Sequence, residues 1–365
     1  MKNVSIENLL FIYDNLCKNI KNKKKLFKIE QFKMLYVNCA YNILKSNNYS
    51  GGKYNIFIIR APKYRVIMSL NVVDKIINHF LCRYVLEPKL SHRLDIRNIA
   101  TRKGLGTDYG IKVVKKYIEK MKKYDEFYIL KIDISKYFYN IDHDVLKSLI
   151  KPYLDNDEYL YICSVIDSTN QKYINKTIVK LKNHELSYNV KRREEIENIP
   201  LYAYKKGLPI GNLTSQFLAI YYLNELDHYI IHDLKLPKYI RYMDDFIIMS
   251  EDKEKLKEAL AKIEEVLNNK YKLKLNRKKT KLIKSSNGFT FLGYRFRVIN
   301  RKTIITLCSS TKNRIKKKVK ENKYLYKNGY INFEKVFSSV NTYLYGFKYG
   351  SKLWVKRIID NYFFN

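Results

Sequence analysis

"KYIRYMDDFIIMS", residues 238–250, places two adjacent aspartates, Asp244 and Asp245, between apolar runs that are typical of β-strands. The pattern predicts a β-hairpin over residues 239–249 with both carboxylates at its tip. Like charges this close repel each other, and apolar surroundings raise the pKa of a carboxyl group unless a positive charge lies nearby. A divalent cation is the natural neutraliser, because Mg²⁺ takes oxygen ligands and commonly uses one or two carboxylates. Taken alone, an Asp-Asp turn is the alternative.

A third carboxylate, Asp133, follows a second apolar run in "YILKIDISKYF", residues 128–138. We predict a strand from about residue 127 to 134, with Asp133 at its end. If this strand and the hairpin are neighbours in one sheet, we expect Asp133 to meet Asp244. Three carboxylates at one sheet end would hold two metal ions roughly 3.5–4 Å apart, an arrangement that supports phosphoryl transfer.

The charge balance of the chain indicates a polyanionic partner. Its 365 residues include 71 Lys and Arg against 35 Asp and Glu, which gives a formal net charge of +36. Solubility does not require such an excess, and nucleic acid is the usual reason for it. The alternative is a composition generally rich in Lys, Asn, Ile and Tyr. The 46% hydrophobic content is that of a globular protein.

The cysteines and the apolar runs indicate where the protein works. Five dispersed cysteines without CxxC spacing argue against a zinc ribbon and a disulfide framework, and they suit a reducing cytoplasm. The N-terminus lacks a signal-peptide pattern, and no apolar run reaches the roughly 18–20 residues that span a bilayer. We therefore expect a cytoplasmic protein with no membrane partner.

The remaining patterns predict a mixture of helices and hairpin-connected strands. Residues 54–70 predict two strands joined by a turn at 61–62, and residues 301–365 predict basic helices. Ser250 is predicted to cap the helix that follows the hairpin, with Glu251 and Asp252 in its first turn. Since strands and helices do not alternate strictly, the predicted fold class is α+β.

Several motifs, in this order and spacing, resemble those of the reverse transcriptases. They are "APKYRVI" at 61–67, "KIDISKYFYNID" at 131–142, "GLPIGNLTSQ" at 207–216, "YMDDF" at 242–246 and "LNRKKTKLIKSSNGFTFLGYRF" at 275–296. The last of these contains both a lysine motif and a turn similar to the primer grip. Each motif is weak by itself, but their shared order is specific, and the resemblance covers nearly the whole chain.

The resemblance implies an RNA-directed DNA polymerase with a right-hand polymerase fold. It implies fingers over residues 1–122, a palm with an antiparallel sheet over 123–300, and a helical basic thumb over 301–365. A further fingers segment would be inserted into the palm at about 146–205. The implied substrates are dNTPs, an RNA template and a DNA/RNA primer-template duplex. The implied cofactor is Mg²⁺, as two ions, with Mn²⁺ as the alternative.

The resemblance also assigns roles to individual residues. The catalytic and metal-binding residues would be Asp133, Asp244 and Asp245, with the backbone carbonyl of Ile134 as a further metal ligand. Nucleotide-binding residues would be Lys63, Arg65, Ser135, Lys136, Tyr137, Phe138, Ile210 and Gly211. Lys278 or Lys279 would donate a proton to pyrophosphate, and the primer grip would be Phe291, Leu292, Gly293 and Tyr294.

Three of these assignments carry specific expectations, and the first two also have structural alternatives. Phe138 takes the place of the bulky aromatic that excludes a ribose 2′-hydroxyl, but it could simply pack in the core. Lys63 and Arg65 would grip the triphosphate, but they could lie on a solvated strand face. Glycine at 211 would allow the backbone to approach the nucleotide or the template.

The form of the second palm motif favours one branch of this family. "GNLTSQ" is similar to the Gly-x-x-x-Ser-Gln form of diversity-generating retroelements, and Ile210 replaces a glutamine found in many relatives. Losing that polar group should loosen nucleotide selection, as in the error-prone copying of template adenines, although Ile210 could fill space without such an effect. The implied partners are a small basic oligomeric accessory protein and a structured template RNA. The alternatives are a defence-associated or retron-like reverse transcriptase with a different template, or an idle RNA-binding protein on a polymerase scaffold.

Overall fold

The computed structural model describes residues 1, 4–46, 48–61, 63–345, 349 and 352–361. Pro62 of the predicted turn and residues 346–348, 350, 351 and 362–365 of the predicted thumb lie outside the described residues. The α-helices are, in chain order, Ile6–Cys17 (α1), Lys23–Glu30 (α2), Lys33–Ser46 (α3), Val72–Phe80 (α4), Glu87–Leu90 (α5), Thr107–Met121 (α6), Tyr137–Asn140 (α7), His143–Ile150 (α8), Asn156–Asp167 (α9), Lys172–Tyr188 (α10), Arg193–Glu197 (α11), Leu213–Tyr222 (α12), Asn224–His228 (α13), Lys253–Asn269 (α14), Ser309–Lys327 (α15), Phe333–Tyr345 (α16) and Lys352–Ile359 (α17). The strands are Tyr54–Ile59 (β1), Arg65–Leu70 (β2), Tyr128–Asp133 (β3), Tyr239–Tyr242 (β4), Asp245–Ser250 (β5), Lys281–Lys284 (β6), Phe289–Phe291 (β7), Tyr294–Ile299 (β8) and Lys302–Leu307 (β9).

The first of two compact units comprises Met1–Asn98, Ile134–Tyr229 and Ile263–Leu275. It is mostly helical and contains the antiparallel hairpin of β1 and β2 that the sequence predicts. Alternate residues of β2 are buried, and Val66 and Met68 pack in one core with Ile174 and Ile178 of α10. The period of two leaves Arg65 exposed on the other face.

The second unit comprises Ile99–Asp133, Ile230–Lys262 and Asn276–Asn365. It contains a four-stranded antiparallel sheet in the order β4-β5-β3-β6 and a three-stranded antiparallel sheet in the order β7-β8-β9. Helix α6 presents Ile111, Val114 and Ile118 to the same core as Ile129 of β3 and Ile247 of β5. Their spacing of three and four residues is that of one helix face.

These observations confirm the predicted α+β class, since each described sheet pairs its strands antiparallel. The division into fingers, palm and thumb stays a prediction. None of the helices in the described part of the chain has both the length and the apolar character that a membrane span needs. All five cysteines are free thiols.

The predicted helix cap at Ser250 is wrong. Ser250 still pairs with Tyr128 in the sheet, and α14 begins at Lys253. The backbone N–H of Lys255 donates instead to Oδ1 of Asp252 at 3.0 Å, so Asp252 is the capping residue. Strand β5 thus extends one residue beyond the predicted hairpin, and its last two residues, Met249 and Ser250, are both buried.

Candidate active site

Strand pairing brings Asp133 and Asp245 together at the end of the four-stranded sheet. Strands β3 and β5 run antiparallel, and Asp133 is the register partner of Asp245. Side chains of directly opposed residues lie on the same face of a sheet. Asp245 is the first residue of β5, and Asp244 lies in the preceding turn, so the register places Asp245 directly opposite Asp133. The expected meeting of Asp133 and Asp244 stays a prediction.

The turn that carries Asp244 has a strained backbone, and a buried arginine donates a hydrogen bond to it. Tyr242 and Asp245 are register partners, so Met243 and Asp244 form a two-residue loop. Met243 has a φ of +58°, a backbone conformation that non-glycine residues adopt infrequently. The fully buried Arg241 donates from Nη1 to the carbonyl oxygen of Met243 at 3.0 Å. Sequence reasoning missed Arg241, although an arginine within the apolar run "KYIRY" was the available signal.

Asp133 is 5% exposed and has a donor on each carboxylate oxygen. Lys279 donates from Nζ to Oδ2 at 2.7 Å, and Asn276 donates from Nδ2 to Oδ1 at 2.9 Å. Lys279, one of the two lysines proposed as proton donors, therefore reaches a carboxylate, and both Lys278 and Lys279 are exposed. Asn276 was not predicted, and a polar residue shortly before the lysines is too common a pattern to have identified it.

Within the described part of the chain, only one of the two carboxylate oxygens of Asp245 has a hydrogen-bond donor. Lys131 donates from Nζ to its Oδ2 at 3.3 Å, whereas Oδ1 is buried and has no hydrogen-bond partner within the described part of the chain. Burial raises the pKa of Asp245 to about 6; Lys131 opposes this shift, and the negative charges of Asp133 and Asp244 add to it. The negative charges of Asp133 and Asp244 therefore act on Asp245, as expected if these carboxylates share a cation site.

The carboxylate oxygens of this site are suitable ligands for a hard divalent cation. Across the described ranges, no three His, Cys, Asp or Glu side chains lie close enough to form a ready-made metal site. However, Mg²⁺ commonly uses only one or two carboxylates together with water and substrate phosphates. The pair Asp133 and Asp245 provides these carboxylates, and the unpartnered Oδ1 of Asp245 is an oxygen that a cation would satisfy. The predicted carbonyl ligand of Ile134 stays a prediction; this residue forms an isolated antiparallel bridge with Leu275.

The predicted nucleotide-binding residues belong to the first unit, whereas Asp133, Asp244 and Asp245 belong to the second. Lys63 and Arg65 are exposed, and so is Lys136, which has a φ of +46°. Ser135 and Phe138 are half-buried, and Tyr137 is buried, with its hydroxyl donating to the carbonyl of Ala219. The carbonyl of Phe138 accepts from Leu208 N at 2.7 Å, which joins two of the predicted motifs.

Ile210 and Gly211 are tied to strand β2. The backbone N–H of Met68 donates to the carbonyl of Ile210 at 2.8 Å. Gly211 has a φ of +135°, and a Cβ added there would lie 2.6 Å from the carbonyl oxygen of Met68. Glycine is therefore needed for the approach to β2, while the predicted approach to a nucleotide or template stays a prediction.

The predicted primer grip forms the turn between β7 and β8 in the second unit. Phe291 and Tyr294 are register partners, and the two residues between them, Leu292 and Gly293, both have positive φ. Two central residues with positive φ are the signature of a type I′ hairpin. The carbonyl of Gly293 accepts from Cys308 N at 3.1 Å, which links the turn to the start of α15.

Comparison with known proteins adds to this geometry. The sequence profile of the family described as "Reverse transcriptase (RNA-dependent DNA polymerase)" matches residues 45–296. No curated protein matches the chain. Among solved structures, the chain is similar to apo telomerase from Candida tropicalis truncated from its C-terminal domain, with 18% sequence identity and a TM-score of 0.47. That alignment covers 71% of this chain and 55% of that chain, so this chain spans about half the length of the telomerase structure.

Proposed function

Because the chain belongs to the reverse transcriptase (RNA-dependent DNA polymerase) family, we propose that it copies an RNA template into cDNA. The proposed substrates are dNTPs and a primer annealed to RNA. The excess of 36 positive charges supports a nucleic-acid partner, because phosphate neutralisation contributes much of the affinity in such complexes. The dispersed free cysteines support a cytoplasmic location.

The strand pairing of Asp133 with Asp245, beside Asp244 in the strained turn, is the observation that carries this proposal. These carboxylates would hold Mg²⁺, or Mn²⁺ as the alternative, in the two-ion arrangement proposed for them. When bound, the ions would supply positive charge for the reacting oxygens and the phosphates. Lys279 would donate a proton from Nζ to the leaving pyrophosphate, and this Nζ lies 2.7 Å from Oδ2 of Asp133.

RNA-templated primer extension with Mg²⁺ tests the activity. We expect the wild-type chain to incorporate dNTPs and Asp244→Ala to lose this activity. The matched control is Asp144→Ala, which removes an aspartate whose exposed carboxylate pairs with Lys205; we expect it to extend primers normally, because exposed ion pairs contribute little stability. Equal, background-level incorporation by wild type and Asp244→Ala would contradict the polymerase proposal.

Within this family, we propose the error-prone, diversity-generating type. The support is the "GNLTSQ" motif together with Ile210, a half-buried apolar residue where a glutamine would offer hydrogen bonds. This type would work with a small basic oligomeric accessory protein and a structured template RNA. A genomic neighbourhood with a repeat pair that differs mainly at adenines would support it. A neighbourhood of defence genes would instead favour the defence-associated or retron-like alternative.

A further inference from the structure

Lys131 contacts both the carboxylate site and the strand that leads into the primer-grip turn. It lies on β3, two residues before Asp133, and its Nζ donates to Oδ2 of Asp245 at 3.3 Å. The same Nζ donates to the backbone carbonyl of Thr290 at 2.8 Å. Thr290 is the central residue of β7 and directly precedes Phe291 of the turn. One ammonium group therefore joins the carboxylate site to the strand that leads into the turn.

The side chain of Lys131 is held in place by its surroundings. It is 16% exposed, and its register partner on β5 is the fully buried Ile247. The apolar stem thus lies at the border of the core, while the ammonium reaches the polar end of the sheet. A lysine has three donors, and two of them are used by the contacts with Asp245 and Thr290.

We propose that Lys131 is a positioning residue that ties the carboxylate of Asp245 to the backbone of β7. It thereby fixes the distance between the primer-grip turn and the carboxylate site. The importance of this distance rests on the proposed polymerase function, whereas the tie itself rests on the two contacts. The tie has an opposing consequence: a cation at Asp245 must share the carboxylate with a positive charge, which weakens the binding of that cation.

The test uses the full chain with Lys131→Met, which keeps the apolar stem and removes the charge. We expect its kcat for primer extension to fall about tenfold or more while the KM for dNTP stays within about twofold, since displaced reacting groups slow the chemical step. Its affinity for Mn²⁺ alone, measured by calorimetry without nucleic acid, should rise about three- to tenfold. Lys131→Arg should recover most of the kcat, because a guanidinium can donate to both acceptors.

Lys284→Met is the matched control, because Lys284 lies on the neighbouring strand β6 and pairs with Glu126. We expect wild-type kcat and wild-type Mn²⁺ affinity for this variant. A wild-type kcat in Lys131→Met overturns the proposal. A loss of kcat together with weaker Mn²⁺ binding also overturns it, because a purely structural role would weaken both.

A double-mutant cycle of unfolding free energies tests the tie independently of polymerase activity. If the wild-type chain shows no primer extension, that result refutes only the proposed function. Removing one partner of a half-buried pair leaves the other charge unpaired, whereas removing both does not. The double variant Lys131→Met/Asp245→Asn should therefore lose less stability than the sum of the single variants. It should also fold if Lys131→Met does not. Additive losses, or a double variant no more stable than Lys131→Met, refute the tie.

Discussion

Replacing Gly211 by alanine should destabilise the first unit through two separate effects. The φ of +135° is strained for any residue with a Cβ, which costs about 1–3 kcal/mol. The added Cβ would also lie 2.6 Å from the carbonyl oxygen of Met68, and backbone atoms cannot rotate away from it. Overpacking of this kind costs a further 1–3 kcal/mol, roughly. We therefore expect a total loss of about 2–6 kcal/mol.

Gly106 provides the control that separates the two effects. Its φ is +109°, but among the described residues, its own chain neighbours aside, no atom lies within 4 Å of the Cβ position. Gly106→Ala should therefore show only the conformational cost of about 1–3 kcal/mol. Since Gly106 belongs to the second unit, a local measurement is needed besides the thermal denaturation of each variant.

Amide hydrogen exchange of Met68 is that local measurement. Its N–H donates to the carbonyl of Ile210, so a displaced loop at Gly211 must weaken this hydrogen bond. We expect exchange at Met68 to be at least about tenfold faster in Gly211→Ala, which corresponds to about 1.4 kcal/mol. Gly106→Ala should leave it unchanged. Equal Tm losses and unchanged Met68 exchange in both variants would refute the steric argument.

Three further predictions concern the carboxylates and the nucleotide pocket. The pKa of Asp245 is raised to about 6 because burial favours the protonated form of its carboxyl group. Without divalent ions, the contribution of Asp245 to stability is therefore fully present below pH about 4 and lost as the pH rises through about 6. Asp245→Asn should remove this pH dependence of the unfolding free energy, measured by urea denaturation. Ile210→Gln should reduce misincorporation opposite template adenine by about tenfold, because the side chain regains hydrogen bonds to the nascent pair; product sequencing measures this, and an unchanged error spectrum would contradict it. Phe138→Ala should raise ribonucleotide incorporation about tenfold or more in single-nucleotide extension, whereas continued rejection would mean that another residue excludes the 2′-hydroxyl.

The sequence by itself determined the local features of this protein. The apolar runs on both sides of "YMDD" predicted strands β4 and β5, because alternating and apolar runs of this length favour extended backbone. "YILKID" predicted β3. The turn at "FLGY" was implied by the resemblance to a primer grip, and its two central residues, Leu292 and Gly293, have positive φ. The residue order of the motifs was also sufficient to predict the family that the sequence profile supports.

Long-range pairing was decided only by the tertiary structure. Lys131 and Asp245 are 114 positions apart, and no local pattern states which residues of two distant strands will face each other. A shift of one residue in register would place Asp244 instead of Asp245 opposite Asp133. It would also move every side chain of the strand to the other face of the sheet, because successive side chains alternate between faces. The two-residue turn and the buried residues of β3 and β5 fix this register, which no local pattern in the sequence states.

The partners of each carboxylate likewise depend on packing between distant segments. Asn276 and Lys279 reach Asp133, Lys131 reaches Asp245, and Arg241 supports the carbonyl of Met243. Their residue types are ordinary in a chain with 71 Lys and Arg, so composition could not distinguish them from solvated charges. The sequence determined which groups could carry the chemistry, because residue type and strand period are local. The tertiary structure decided which of these groups meet, because sheet register and side-chain contacts join segments that the chain itself keeps far apart.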